Sequence, residues 1–429
     1  MEKHVAIIER IQNLTSLYKK YNIDSYLIPS TDEYLSEYSP DFAKRLQYIT
    51  GFAGSNGYGV IHPDKIYFFT DGRYFKQAEN QLPQGFNSIY DINHVGRIDS
   101  LYSSLGKVGY NPKLFCKTQI NIFNSLNLVP IEDDLIDFIW TDNRPNKSEA
   151  KAFIYEEIYA GETSQNKIVN LQKDIKKLGG DYYLVTDCTS ICWLLNIRAS
   201  DVPFCPLLLA KLIVSKDKLY LFTDLNKVKD LKFDDSIVLS EESEIYKFLS
   251  KISGSIIVDN NKTPISYLNS IEHLDVIHQN DLCTILKSIK NDIEIEGTKK
   301  AHIKDAVSVI EFFSWLNDEL KAGSILTEFD LGKKLVSSVS NHNTTLNIIN
   351  TGVQTASYIQ ELDEFNNMLD EFCSELEKII TEIYNDLPNT SMILAMKLVL
   401  DTNEMGKMDA ELKQAGIIDG ERSFNQHLI

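Results

Sequence analysis

Four groups of residues in this sequence could do chemistry. The glycines of GFAGSNGYG, Gly51 to Gly59, are dense enough to invite comparison with a phosphate-cradling loop. Their spacing argues against it. Two residues rather than one separate Gly51 from Gly54, no GxxxxGK[ST] occurs, and IHPDKIYFF continues as a strand instead of a helix. A tight turn between strands is the plainer expectation. Cys188 and Cys192 in CTSIC are four apart, so a helix would put both on one face. Beyond Cys205 no further local ligand could complete a tetrahedral zinc site, and no histidine lies between His94 and His273. Packed free thiols are expected, because a catalytic thiol also needs a base at hand.

The histidines are His4, His62, His94, His273, His278, His302, His342 and His427. They form no HExxH and no close His/Asp pair on one element. His273 and His278 flank LDVI, and on a strand they would face opposite sides of a sheet. Asp71-Gly72-Arg73 is a polar turn just past an apolar strand, where sheets can bind ligands. Arg198 with Asp201 is similar in kind. A turn or a structural ion pair accounts for both, and an enzymatic use of Asp71, Arg73, Arg198 and Asp201 would need a nucleophile–base pair that cannot be drawn among them.

The elements that would position these groups are set by an acidic chain of 429 residues, with 43 basic and 61 acidic side chains and a net charge of -18. That length allows more than one hydrophobic core. The charge argues against nucleic acid and anionic membrane surfaces as general partners. Six scattered cysteines read as free thiols in a reducing, cytoplasmic setting. The start, MEKHVAIIERIQNLTSLYKKYNID, has helical periodicity and lacks a signal-peptide core, and no apolar run is long enough to span a membrane.

Strand and helix signals alternate from the start. A helix carrying Ile7, Ile11, Leu14, Leu17 and Tyr18 precedes the strand SYLIP. KIYFFT follows as a strand, with a turn at Asp71-Gly72 and a helix around residues 73 to 82. A second unit repeats this order: a helix from about Ser148 to Leu178, then DYYLVT where DSYLI stood. SICWLLNIRASDVPF takes the place of RLQYITGFAGSNGYG, and KLYLFTD that of KIYFFTD, 153 residues earlier. Fragments in matching order point to duplication. The expected fold class is α/β: two tandem domains with mixed sheets at 1–145 and 146–295, separated by a linker at about 141–149, then a third part at 296–429.

In that third part, Ile303, Val307, Ile310, Phe313, Leu316 and Leu320 are expected to form one helical face, ended by Gly323. Thr327 and Asp330 have capping-box spacing for another helix. From Ala301 onward there are 21 acidic and 9 basic residues. Leu362, Phe365, Leu369, Phe372, Leu376, Ile379 and Ile383 then keep a heptad spacing that calls for burial. Three coverings stand open: a helical hairpin with SMILAMKLVL, packing on the preceding domain, and self-association.

RLQYITGFAGSNGYGVI, FFTDGRYFKQAENQL, IWTDNRP, WLLNIRASDVPFCPLLLAKLIV and EIEGTKKAHIKDAVSVIEFFSWLNDEL resemble the long, three-domain Xaa-Pro aminopeptidases (aminopeptidase P), of the M24B metallopeptidase and creatinase family. The resemblance runs from about residue 5 to about residue 335. It implies two creatinase N-terminal-like domains followed by a pita-bread catalytic domain. There, two aspartates, a histidine and two glutamates would hold two Mn2+ ions, and a further histidine would assist cleavage of peptides with proline in second place. Carried over residue by residue, this ligand set finds no positions. The nearest apolar-run aspartate is Asp401 in KLVLDTNEMGKMDAEL, and Leu412 stands where the second aspartate should be. No HGxGH block occurs.

The expectation is therefore an aminopeptidase P-like protein with a truncated or diverged remnant of the catalytic domain at 296–429. It has no assignable catalytic, cofactor-binding or metal residues and no cofactor. It would act as a binding or assembly module, as a homo-oligomer or with a protein partner. The alternative is a metal-dependent aminopeptidase releasing the N-terminal residue from Xaa-Pro peptides.

Overall fold

A computed structural model of the protein describes residues 2–93, 104–203 and 205–342. The helix Glu2–Ser16 opens the chain, with Ile7, Ile11 and Leu14 buried. The first sheet is built from β1 (Ser25–Pro29), β2 (Tyr58–His62), β3 (Lys65–Thr70), β4 (Asn87–Asp91), β5 (Lys107–Tyr110) and β6 (Asn127–Pro130), in the order β4-β3-β2-β1-β5-β6. A two-stranded ribbon pairs β7 (Phe153–Ile154) with a later strand. The second sheet uses β8 (Tyr182–Val185), and the ribbon is completed by β9 (Ile197–Arg198). Next come β10 (Lys211–Ser215), β11 (Leu219–Thr223), β12 (Ile237–Glu241), β13 (Ser255–Val258) and β14 (Asp275–His278), in the order β12-β11-β10-β8-β13-β14.

The two sheets have one topology. In each, the two contacts around the third strand from the left-hand edge are antiparallel and the remaining three are parallel. SYLIP and YYLV occupy the same place in their sheets, as do KIYFFT and LYLFT. Side-chain alternation repeats too. Tyr26 and Ile28 face one core and Leu27 the other, just as Tyr183 and Val185 face one core and Leu184 the other. Even the strand entry is copied. Asp24 accepts from the Lys107 N–H at 2.8 Å, and Asp181 accepts from the Ser255 N–H at 2.9 Å. The residues just before, Gly106 and Gly254, have φ of +60° and +104°.

Several local expectations need correction. The long helix from about Ser148 to Leu178 is instead β7, a turn of helix at Glu157–Ala160, and a helix at Ser164–Lys177 that starts only where the Thr163 hydroxyl can accept from the Asn166 N–H. The glycine cluster is not a single turn between strands. Gly51, at φ +84°, ends the helix Arg45–Thr50, while at Gly54 and Gly57 a Cβ would meet the rings of Phe52, Tyr74 and Phe68. His273 lies before β14, so the two histidines do not bracket one strand. His62 does reach an acid, with Nδ1 3.7 Å from the exposed Asp64 carboxylate across the turn after β2.

The two sheet domains meet along a seam. The Ile265 N–H donates to Phe115 O at 2.9 Å and the Ser266 N–H to Pro112 O at 3.1 Å, while Tyr34, Phe42 and Ala43 pack with Cys188, Val202 and Leu209. Residues 141–149 hold no helix or strand, and Arg144 fastens the stretch to the first domain by pairing with Asp137 at 2.9 Å and donating to Phe42 O. After β14 the helix Leu282–Ser288 leads to the helix Asp292–Lys321. Asn291 and Glu294 form the capping box of that longer helix, and Asn291 Nδ2 ties it to Ala160 O at 2.8 Å. It is longer than its apolar spacing implied. Thr327 and Asp330 cap the next helix, Glu328–His342, reciprocally. The heptad segment 362–383 and Asp401 lie outside the described residues.

Candidate functional site

The four residues singled out by sequence do not converge. Asp71 accepts two bonds from the Arg73 guanidinium, at 2.9 and 3.0 Å, caps the turn through the Arg73 N–H, and accepts from Asn56. The Arg73 hydrogen bond, aided by Asn56, holds its carboxyl below the usual range. Arg198 donates to Cys192 O and Ile197 O and lies over the Tyr155 ring. Asp201 is buried on Lys227, 2.5 Å away, and accepts from the Leu209 N–H. Each is occupied within its own element or the neighbouring one.

Cys188 and Cys192 share the short helix Cys188–Leu194, as their spacing implied, and both are buried free thiols. Their S–H groups point at Ala210 O and Leu208 O. Burial pushes the Cys192 thiol up to about 11 and Cys188 higher still. Neither is a nucleophile at neutral pH.

The densest polar chemistry sits elsewhere, just past the carboxyl ends of the parallel strands, once in each domain. In the first domain Asp134 caps the helix Leu135–Ile139 behind β6. Arg45, only 3% exposed, lies 3.1 Å from Asp134, grips Asp137 with two bonds of 2.8 and 2.9 Å, and reaches Glu33 at 2.5 Å. Burial pushes Asp134 up. Burial acts likewise on Asp137 and Glu33, but Arg45 outweighs it and holds both carboxyls below their ordinary values.

In the second domain Asp281 takes the place of Asp134, capping the helix Leu282–Ser288 behind β14. It accepts from Tyr183 at 2.7 Å, Ser190 at 2.5 Å and Lys262 at 3.1 Å. Lys262 and Lys287 both contact Asp187, whose carboxyl is driven far below its usual range because the two ammonium groups outweigh its burial. This cluster has two acids and two bases, so it presents no net charge to a ligand.

These clusters were missed because their members lie far apart in sequence: 92 residues separate Arg45 from Asp137 and 100 separate Asp187 from Lys287. A signal did exist. Tyr26 with Asp134 and Tyr183 with Asp281 hold matching places in the duplicated pattern.

A third feature lies on the seam. Lys211, fully buried at the start of β10, sets Nζ 3.5 Å from the centroid of the Tyr34 ring, and Tyr34 Oη donates to Glu242 at 2.6 Å. Lys211 Nζ and Asp32 Oδ2 are buried and make no hydrogen bond. Burial lowers the lysine and raises the aspartate, moving both toward neutral forms.

Among the described residues, no group of three or more His, Cys, Asp or Glu side chains is placed to hold a metal ion. No described helix is long and apolar enough to cross a membrane.

Comparison with known proteins fits this architecture. Sequence models described as "Creatinase/Prolidase N-terminal domain" match twice, over residues 10–138 and 143–294. A probable Xaa-Pro aminopeptidase P of Laccaria bicolor is 30% identical over 353 residues, covering 77% of this chain and 55% of the relative. Xaa-Pro aminopeptidase 1 of Dictyostelium discoideum is 31% identical over 360 residues, covering 77% and 57%. The crystal structure of an X-prolyl aminopeptidase from Caenorhabditis elegans, described as a cytosolic enzyme with a di-nuclear active site, superposes with a TM-score of 0.70 at 27% identity, over 77% of this chain and 59% of that one. The chain thus spans just over half the length of the curated relatives it matches. With two creatinase N-terminal domains of one topology and relatives that agree over 77% of its length, the chain belongs to the aminopeptidase P branch of the M24B creatinase/prolidase family.

Proposed function

We propose that this protein is an aminopeptidase P-like binding and assembly module of the cytoplasm, without metallopeptidase chemistry of its own. The family implies two divalent metals held by aspartates, glutamates and a histidine. The described residues do not fit that group. Asp134, Asp137 and Glu33 converge on the Arg45 guanidinium, and Asp187 and Asp281 on Lys262. A divalent ion there would have to displace a fixed side-chain cation already within hydrogen-bond distance. These carboxylates lie in the two N-terminal domains, so the reading is carried instead by the sequence, in which the family's ligand set finds no positions and Leu412 stands where the second aspartate should be.

What the paired domains supply instead is a joined pair of sheets. Backbone bonds, an apolar cluster and the Tyr34–Glu242 bond join them, and the last two described helices pack on one another around Phe312 and Leu335.

The second reading, a metal-dependent aminopeptidase acting on Xaa-Pro peptides, is favoured by what the relatives are called. Elemental analysis separates the two. After dialysis of the full-length protein against dilute manganese, cobalt or zinc, less than about 0.2 equivalent per chain is expected to remain. Two retained equivalents, with release of the N-terminal residue from an Xaa-Pro peptide, would overturn the proposal in favour of the second reading.

A further inference from the structure

The helix Asp292–Lys321 packs its Phe312 and Leu316 side against the helix Glu328–His342 and leaves the opposite side open. Along that open side the residues keep a heptad spacing. Ile303, Ile310 and Asn317 recur every seven residues, and so do Lys300, Val307, Ser314 and Lys321. Spaced alternately by three and four, they make one continuous stripe with Glu296 at its start, the pattern of a seam between two helices. Ile303 is 66% exposed and Val307 40%, so the apolar middle of the stripe lies in water. Both of its ends are charged.

The stripe is complementary to its own reverse. A second copy of the helix, laid antiparallel about a two-fold axis at the level of Ser308 and Val309, stacks the two stripes in layers: Val307 on Ile310, Ile303 on Ser314, Lys300 on Asn317 and Glu296 on Lys321, each made twice. One edge carries Lys300 and Lys304 in its first half and Glu311 and Asp318 in its second. Reversal sets the basic half of that edge on the acidic half, whereas two parallel copies would set like charge on like. On the other edge Phe313 of each copy, 41% exposed, comes over the small Ala306 of the other. Ile325, just past the helix end, is 97% exposed and Ile293 near its start 47%, and reversal brings these two to the same end of the seam. From Glu296 to Lys321 the seam is about 38 Å long and about 10 Å wide, hence about 400 Å² on each copy. The total of about 800 Å² is below the roughly 1,200 Å² of stable complexes, which makes the pair reversible rather than permanent.

We propose that two copies of this chain associate through the helix Asp292–Lys321, packed antiparallel on the stripe centred on Ile303, Val307 and Ile310. This rests on the reading of the chain as an assembly module and names a second copy as what it assembles with. Two retained metal equivalents would defeat that reading without altering the solution mass, whereas the mass tests the dimer alone.

Sedimentation of the full chain from about 1 to about 300 µM is expected to show monomer passing into dimer. Ile303→Asp with Val307→Asp changes two exposed positions and should weaken the dimer by about tenfold or more, with circular dichroism unchanged. Lys300→Asp and Asp318→Lys should each weaken it, and the two together should restore it, a recovery that damage to the fold cannot produce. Register is tested by disulfides. In the antiparallel layers position 303 of one copy meets position 314 of the other, while like positions lie about 16 Å apart along the seam. Oxidation of the Ile303→Cys protein mixed with the Ser314→Cys protein should therefore join 303 to 314, identified by peptide mapping, about tenfold more than either protein joins to itself. A chain that stays monomeric at the highest concentration overturns the proposal, and so does a dimer that survives the double aspartate change. Self-links at 303 or 314 that match or exceed the mixed link overturn the antiparallel pairing and the proposal with it.

Discussion

Lys211 of the second domain places its ammonium 3.5 Å from the centroid of the Tyr34 ring of the first. The ring face offers a cation about 2 kcal/mol when water is excluded, but the amine makes no hydrogen bond there. Burial of such a group without partners costs several kcal/mol. Desolvation therefore wins, and it lowers the lysine from its ordinary value of 10.5. Lys211→Met keeps the length of the side chain and removes the cost. Urea unfolding at pH 7 should show the variant to be more stable by about 1–2 kcal/mol. Because the folded-state value is the lower one, wild-type stability should rise with pH toward 10.5, and the methionine variant should lack that rise. A variant less stable than wild type by 2 kcal/mol or more would show that the charged amine holds the seam together.

Tyr26 and Tyr183 occupy the same strand position and make an internal comparison. Tyr183 Oη donates to Asp281 at 2.7 Å and accepts from the Leu282 N–H at 3.0 Å, whereas buried Tyr26 Oη has the equivalent Leu135 N–H near it but no acceptor within hydrogen-bond distance for its own proton. Tyr183→Phe leaves the buried Leu282 amide without its acceptor and takes one donor from Asp281, which keeps Ser190 and Lys262, and about 1–3 kcal/mol is expected. Tyr26→Phe removes a hydroxyl that donates to no acceptor, so its cost should be smaller, about 1 kcal/mol or less. Equal losses for the two variants in denaturant titrations would contradict the distinction.

Arg45 is the common partner of three carboxylates, so its removal differs in kind from loss of a surface pair. Arg45→Met should destabilise by about 3–5 kcal/mol at pH 7, because buried negative charges are left uncompensated. Glu33 and Asp137 are held below their ordinary values in the folded protein, and the stability they contribute is present above those values and lost as pH falls. Without Arg45 the sign reverses: the crowded acids rise, and the variant should recover stability as pH falls from 7 to 5. A variant whose stability falls in parallel with wild type over that interval would show that Arg45 does not control these groups.

Local rules read from sequence met the structure where the determinants are local. SYLIP, KIYFFT and the Thr327–Asp330 box depend on alternation, apolar runs and a three-residue spacing, and each forms where expected. The apolar face read on the helix Asp292–Lys321 is covered only in part: Leu316 packs against the helix Glu328–His342, whereas Ile303 and Leu320 are exposed. Periodicity finds the apolar stripes of a helix but not which of two stripes its neighbour takes, and Phe312 with Trp315 and Leu316 met the helix Glu328–His342. The polar clusters were harder. Arg45 with Asp137, and Lys287 with Asp187, meet only because parallel strands bring distant loops to one sheet end. Lys211 opens KLIVS, where a lysine ordinarily reads as a solvated strand end, and only the neighbouring domain buries it.

The strongest quantitative consequence of the shared topology lies at Gly106 and Gly254, which precede equivalent strands. A Cβ at Gly106 would stand 2.2 Å from Asp24 Oδ2, and one at Gly254 would stand 2.4 Å from Asp181 Oδ2. The backbones differ. At φ +60° Gly106 lies in the left-handed region that other residues enter for roughly 1–2 kcal/mol, whereas φ +104° at Gly254 lies beyond it. Alanine should therefore destabilise at both sites, and more at Gly254. Removing the carboxylate should relieve the clash but not the strain. Asp24→Ala with Gly106→Ala should recover part of the loss seen with Gly106→Ala alone, while Asp181→Ala with Gly254→Ala should recover a smaller fraction. Thermal unfolding of wild type, the four single variants Asp24→Ala, Gly106→Ala, Asp181→Ala and Gly254→Ala, and the two double variants, read as two double-mutant cycles, checks this. Equal recovery at the two sites would mean that the carboxylates, not the backbone, dominate both, and a loss at Gly106 larger than at Gly254 would contradict the account.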